Sequence, residues 1–261
     1  MVRAFGVTDK GPVRPINEDC FAVDAGLGLC VVADGMGGHN AGEVAARMVV
    51  DAVVEHVRRS SADASAVGLR LDTSLLPFGV DPAVSPHTNV LRNAILLANL
   101  QILESAERTR GYAGMGSTVV AAWIVNGRLG IASAGDSRLY LFAGGALRRL
   151  TTDDSWIATL LAHEPDADAS RFQHHPMRNA LTNVVGGKVP TDVHVIEQSL
   201  GGGEWILMTT DGVHGVLDDQ ALGQLMHGRD PAPMTEAIVT SALDHGSRDN
   251  CTAVVALYVK H

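Results

Sequence analysis

Short runs of β-branched and apolar residues stand between turn residues along the chain: LGLCVVA (27–33), TVVAAWIV (118–125), RLGIASA (128–134), RLYLFA (138–143), EWILMTT (204–210) and CTAVVALYV (251–259). Runs of this length and composition predict strands. Asn126-Gly127 joins two of them, and Asn-Gly predicts a hairpin because a type I′ turn needs φ > 0 at both central positions. Gly144-Gly145 predicts a second tight closure.

A helical period governs two longer stretches. Residues 41–59 place Val44, Ala45, Met48, Val49, Ala52 and Val53 on one stripe, and residues 88–108 do the same with Leu91, Ile95, Ala98 and Ile102, with Thr88 as the expected N-cap. Shorter helices are expected over 155–163, 218–226 and 233–245, with Gly246 as the stop of the last. Residues 60–87 carry weak periodicity and Pro77, Pro82 and Pro86, which predicts a long connection. Hairpin-linked strands with helices grouped between them predict an α+β fold of antiparallel sheets covered by helices, not a βαβ repeat.

Composition narrows the picture further. A chain of 261 residues with 46% hydrophobic content can form one large domain, and aromatics at 4% leave Val, Leu, Ala and Ile to fill its core. No aromatic platform for nucleic-acid bases is visible, and the formal charge of −9 argues against nucleic acid or an anionic membrane surface as the main partner. Metal cations or basic protein segments suit that charge better. No run reaches the roughly 18 apolar residues of a membrane helix, and MVRAFGVTDKG lacks the apolar centre of a secretion signal, so a cytoplasmic location is expected. Cys20, Cys30 and Cys251 lack CxxC spacing and lie in or beside apolar runs, as buried reduced thiols do.

The stretch VVADGMGGHNAGEVAA (31–46) then poses a problem. Strand, glycine-rich turn and helix together suggest a phosphate cradle, yet Asp34 would repel the phosphate. A dinucleotide fingerprint is a poor alternative, because Asn40 stands where a third glycine is needed and the βαβ context is missing. Asp136, Asp211 and Asp249 have similar addresses at the ends of expected strands, and Gly35, Gly135 and Gly212 stand beside three of the four aspartates. An isolated Asp-Gly is a turn former. Four such aspartates point to convergence on one site, where carboxylates stay ionised only with a cation among them. An all-oxygen ligand set favours Mg²⁺ or Mn²⁺ over zinc.

These segments, in order, carry a family resemblance: RPINEDC (14–20), VVADGMGGHNAGEVAA, GSTVVAAWI (116–124), GDSRLYLF (135–142), LTTDDS (150–155), HPMRNALTNVVGG (175–187), LMTTDGVHG (207–215) and SRDNCTAVV (247–255). The chain resembles bacterial metal-dependent serine/threonine protein phosphatases of the PPM or type 2C group. The resemblance implies a four-layer α-β-β-α sandwich forming a single catalytic domain over residues 1–261, with a flap at about 153–187. It implies that Asp34 bridges two metals, that Gly35 gives its carbonyl to one, and that Asp211 and Asp249 hold the other. Asp136, with Asp211, would form a weaker third site. Glu18 would orient metal-bound water and Arg14 would grip the substrate phosphate. The reaction implied is hydrolysis of phosphoserine or phosphothreonine by a hydroxide bridging the two cations, with Mn²⁺ or Mg²⁺ as cofactor. The implied partners are phosphorylated proteins made by a serine/threonine kinase, with no nucleic acid, no membrane, and a monomeric chain.

Adjacent residues of a strand face opposite sides, so only one of Glu18 and Asp19 is expected to enter the site, the other bonding a nearby backbone group. Met36 stands where many eukaryotic relatives have a histidine proposed as general acid, so the proton falls to His39, to metal-bound water or to no donor, and His39 reads equally as a residue bonding the loop backbone. Asp154 stands where many bacterial relatives have histidine, and His174 and His175 read as flap or surface residues rather than metal ligands. A hydrolase for small phosphate esters, or a phosphatase-like regulatory module without strong activity, would use the same core.

Overall fold

The computed structural model describes residues 1–38, 41–67, 75–164, 172 and 175–260. Along the chain these form β1 (Val2–Asp9), β2 (Asp19–Asp24), β3 (Leu29–Met36), α1 (Ala41–Val67), α2 (Pro86–Arg108), β4 (Gly116–Ser117), β5 (Val119–Val125), β6 (Arg128–Ala134), β7 (Arg138–Ala143) and β8 (Ala146–Arg149). There follow α3 (Trp156–His163), β9 (His194–Ser199), β10 (Trp205–Thr209), α4 (Asp211–His214), α5 (Asp219–Leu225), α6 (Pro231–Asp244) and β11 (Cys251–Tyr258). One sheet runs β1-β11-β10-β7-β8 and the other β2-β3-β5-β6-β9, with β4 added to β3, and every strand pair is antiparallel.

The central strands are apolar throughout because both of their faces are covered. On β3, Leu29, Val31 and Ala33 pack toward α1 and α2, while Cys30 and Val32 enter the space between the sheets. On β11, Cys251, Ala253 and Val255 pack under α4, α5 and α6, while Val254 and Ala256 meet the other sheet. Period-2 alternation therefore sorts side chains between two cores rather than between core and water. Helix, sheet, sheet and helix layers result, as the fold expectation has it, with a core between each adjacent pair. The three cysteines are buried and unpaired.

Both hairpin expectations hold: Asn126 and Gly127 have φ of 50° and 77°, and Gly144 and Gly145 have 59° and 82°. Other boundaries differ from expectation for physical reasons. Helix α1 continues eight residues past Arg59, through SSADASAV (60–67), and the hydroxyls of Ser60 and Ser61 donate to the His56 and Val57 carbonyls at 2.9 Å, satisfied within the helix. The connection is correspondingly shorter. Its final stretch is held by buried asparagines of α2: Phe78 N–H donates to Asn93 Oδ1 at 2.9 Å and Asp81 N–H to Asn89 Oδ1 at 2.7 Å. Helix α2 begins at Pro86 with Ser85 as N-cap; Thr88 is not the cap, because its hydroxyl donates to Glu197 of β9 at 2.6 Å. Helix α6 starts at Pro231, where Asp230 accepts from Ala232 N–H at 3.2 Å.

Leu129 is fully buried between the two sheets, whereas Val189 is 67% exposed. Leu129→Ala should cost about 2–5 kcal/mol by leaving a cavity the rigid sandwich cannot close, while Val189→Ala should stay within about 0.5 kcal/mol. Urea unfolding of the two variants checks this, and equal midpoints would contradict the layer assignment.

Candidate active site

Antiparallel pairing brings several strand ends to one end of the sandwich. Asp34 lies near the end of β3, Asp136 between β6 and β7, Asp211 just after β10 and Asp249 just before β11. There they line a cavity of about 270 Å³ together with Arg14, Glu18, Gly35, Met36, Thr118, Asn179 and Asn250. Seven of the eight residues singled out from the sequence thus face one space. The eighth, His39, lies outside the described residues.

The backbone of Asp34 is held by hydrogen bonds to other elements. Asp34 N–H donates to Thr118 Oγ1 at 3.0 Å, while its carbonyl accepts from Thr118 N–H at 2.8 Å and from Ser117 Oγ at 3.0 Å. Gly35 N–H donates to the Glu18 carbonyl at 3.0 Å. A Cβ on Gly35 would collide with the Gly42 carbonyl oxygen, and a Cβ on Gly42 would collide with Glu18 Oε1. The glycines of VVADGMGGHNAGEVAA therefore let the first turn of α1 press against β3 and Glu18.

Asn250 joins the N-terminal segment to the site: its Oδ1 accepts from Glu18 N–H at 2.8 Å, and its amide donates to the Lys10 and Ile16 carbonyls at 2.8 and 3.0 Å. That role was not read from SRDN. Asp19 also departs from expectation. It sits opposite Asp34 in the β2–β3 register, and its Oδ2 accepts from the hydroxyls of Thr210 at 2.8 Å and Thr252 at 2.6 Å, not from a local backbone group. It reaches across to the other sheet, where Thr210 directly follows β10 and Thr252 lies in β11.

Burial and mutual repulsion dominate the electrostatics. The Asp34 carboxyl is pushed well above its ordinary value by burial and then by Asp19 and Asp211. Burial with Asp211 nearby raises Asp136 to about 7, and burial raises Asp19 to about 7 despite its threonine donors. Asp211 is raised by burial and by Asp249, and Glu18 by burial. Asp211 Oδ1 and Asp19 Oδ1 are buried without a hydrogen-bond donor. Among the described residues, Arg14 is the cationic group ion-paired with an aspartate lining this cavity, its Nη2 donating to Asp249 Oδ2 at 2.6 Å. Crowded carboxyls with an orphaned oxygen are the donor set a hard divalent cation requires. Among the described residues no three acidic, histidine or cysteine side chains are already drawn together tightly enough to grip an ion as they stand, which agrees with the repulsion that raises these carboxyls.

The segment expected to form a flap begins at a junction built on Asp154. Its carboxylate accepts from Gly135 N–H at 2.9 Å, Asn183 Nδ2 at 2.7 Å and His194 Nε2 at 2.8 Å, tying the flap to the turn that carries Asp136. Burial opposes ionisation of Asp154, but these hydrogen bonds outweigh it and hold the carboxyl below its ordinary value. His175 stacks on Trp156, ring centroids 4.4 Å apart; His174 lies outside the described residues. A larger cleft of about 850 Å³ opens beside the first and shares Arg14, Asp136, Asn179, Asp211 and Asp249 with it.

Comparison with known proteins places the chain among relatives. A family model described as protein phosphatase 2C matches residues 15–246, so that Arg14 and Asp249 lie just beyond its ends. The serine/threonine phosphatase stp of Listeria welshimeri is 30% identical over 254 residues, covering 95% of this chain and 92% of that protein. The crystal structure of the Mycobacterium tuberculosis serine/threonine phosphatase PstP/Ppp superimposes with a TM-score of 0.83 at 28% identity, covering 99% of each chain. The catalytic domain of PstP in complex with two manganese ions superimposes with a TM-score of 0.78 at 28% identity, covering 99% of each chain. With its sandwich, its converging aspartates and a match over most of its length, the chain belongs to the protein phosphatase 2C family.

Proposed function

We propose that this chain is a metal-dependent protein phosphatase that hydrolyses phosphoserine and phosphothreonine at the aspartate-lined cavity. One observation carries the reading: Asp34, Asp136, Asp211 and Asp249 share a cavity with Arg14, and Asp211 Oδ1 has no donor. Asp34, Asp211 and Asp249 would hold two divalent cations with help from the Gly35 carbonyl, and Asp136 with Asp211 would hold a weaker third. Mn²⁺ or Mg²⁺ bound there supplies Lewis acidity, which acidifies water and offsets charge on the phosphoryl oxygens.

The remaining steps fall to the chain's own groups. Glu18 is raised by burial, so it can accept and return a proton closer to neutral pH than a solvated glutamate does. Arg14 offers a planar fork that matches two phosphate oxygens. That fork is engaged by Asp249 in the structure, so a cation taking the Asp249 carboxylate would release Arg14 toward substrate. Met36 lines the cavity with a thioether, which donates no proton to the departing oxygen. The adjoining 850 Å³ cleft leaves room for a polypeptide beside the phosphoryl group, which favours protein substrates, the products of a serine/threonine kinase, over small phosphate esters.

Asp34→Asn and Asp211→Asn should each reduce kcat at least about a thousandfold with Mn²⁺ while leaving the circular dichroism spectrum unchanged. Near-normal turnover in either folded variant would remove the metal mechanism. Arg14→Ala should raise KM for a phosphopeptide about tenfold and change kcat less, as loss of a contact held equally in ground and transition states does. A large fall in kcat at constant KM would give Arg14 a transition-state role instead.

Metal-free stability should also depend on pH. Asp19 and Asp136 protonate near 7 when folded, against an ordinary value of 3.8, so the folded chain binds more protons between these values. Their contribution is present at about pH 4 and is lost as pH rises toward about 7. Thermal melting in EDTA should therefore show a lower melting temperature at pH 8 than at pH 5, with a smaller difference in Asp136→Asn. Mn²⁺ should restore stability at pH 8 by binding the folded state alone. A melting temperature in EDTA that does not change with pH would contradict the shared cause, burial of unpaired carboxyls.

A further inference from the structure

The 850 Å³ cleft beside the aspartates is lined by four arginines, Arg14, Arg138, Arg178 and Arg248, on a chain whose net charge is −9. Two of them are already committed. Arg14 is paired with Asp249, and Arg138 grips Asp153 through Nε at 3.0 Å to Oδ1 and Nη2 at 2.7 Å to Oδ2. Among the described residues, the guanidinium groups of Arg178 and Arg248 have neither an ion-pair nor a hydrogen-bond partner.

Their backbones, by contrast, are fixed. Arg178 lies in the flap turn, where its N–H donates to the His175 carbonyl at 3.0 Å and its carbonyl accepts from Ile157 at the start of α3. Arg248 stands between Ser247, which is buried and accepts from Cys251 Sγ at 3.2 Å, and Asp249 of the site itself. Two anchored residues from distant parts of the chain thus present unpaired forks to one cleft, and that cleft opens directly onto the cavity that would receive a phosphoryl group. Like charges facing a common space are stabilised by an anion between them, and a guanidinium fork binds carboxylate or phosphate oxygens with two parallel bonds. The acidic cavity floor cannot supply that anion from its own side chains without giving up the carboxylates assigned to cations.

We infer that Arg178 and Arg248 form a second anion subsite, which binds a phosphate or carboxylate side chain flanking the phosphorylated residue on the same polypeptide. The subsite rests on the phosphatase reading and narrows its substrate class to segments carrying a second negative charge near the target. Arg14 serves the phosphoryl group that reacts; Arg178 and Arg248 serve the one that stays.

The test uses the full chain with Mn²⁺ and a set of phosphothreonine peptides. Each carries glutamine, glutamate or a hydrolysis-resistant phosphonate at one of the three positions on either side of the target. At low salt, kcat/KM should be about tenfold higher for an anionic than for a neutral neighbour at one or more positions, the size expected of a charge-assisted hydrogen bond. The ratio should fall to about one in the double variant Arg178→Gln, Arg248→Gln, and should shrink in the wild type as salt is raised. A larger ratio for phosphonate than for glutamate identifies a phosphate as the preferred anion, and the reverse order a carboxylate. A ratio of one at every position in the wild type, or an unchanged ratio in a folded double variant, overturns the subsite. Fluorescence anisotropy of the labelled peptides reads the same preference without turnover. A chain that bound with this preference but released no phosphate from any peptide would therefore overturn the phosphatase reading and keep the subsite.

Discussion

Carboxylates crowded into a cavity largely removed from water repel one another and lose solvation together, and the architecture at this end of the molecule is organised around that conflict. Asp34, Asp136 and Asp211 are each raised by burial, with a neighbouring carboxylate adding to the shift. A free-standing loop would relieve such strain by swinging its aspartate into solvent. Here it cannot, because Asp34 is part of β3 and bonded on both sides by Thr118, and Asp211 opens α4 behind a buried Thr210. The sandwich supplies the rigidity that holds like charges together, and carboxylates so held stay ionised only with a cation among them.

That rigidity comes from central strands covered on both faces, and it explains which parts of the fold the amino-acid pattern reveals. The apolar runs that read as strands became β3, β5, β6, β7, β10 and β11, all interior to their sheets. Of the strands that did not read, β1, β2, β8 and β9 are the four sheet edges and β4 is a two-residue addition to β3. Edge strands such as ALRR (146–149) and HVIEQS (194–199) carry charge and polarity that discourage pairing with a further strand, and this erases the periodic signal. Serines that bond back into α1 and asparagines of α2 that hold the stretch before it likewise leave no periodic trace, so the connection looked longer than it is.

The site divides along similar lines. Asp34, Asp136, Asp211 and Asp249 were visible because each lies at or beside the end of an interior strand, and antiparallel strands deliver such positions to a common end. Asp19 and Asn250 were not, because their roles exist only through contacts between residues far apart in the chain: Asp19 meets Thr210 and Thr252 across 191 and 233 positions, and Asn250 meets Glu18 across 232. Local pattern carries no information about such partners. Both residues connect the segment bearing Arg14 and Glu18 to the segments bearing Asp211 and Asp249, so they act on the relative placement of the groups rather than on substrate.

The distribution of arginines follows from the same conflict. An acidic cavity floor repels a phosphate, and a chain of net charge −9 offers no general attraction to one. Positive charge must therefore be local. Arg14 donates to Asp249, so its guanidinium offsets one carboxylate of the cluster. Filling the aspartate cluster with cations would reverse the sign of the floor and release that guanidinium together, since both changes turn on the Asp249 carboxylate. Anion binding at this end of the sandwich would then be conditional on metal through the chain's own ion pairing, while the unpaired forks of Arg178 and Arg248 remain available in either state.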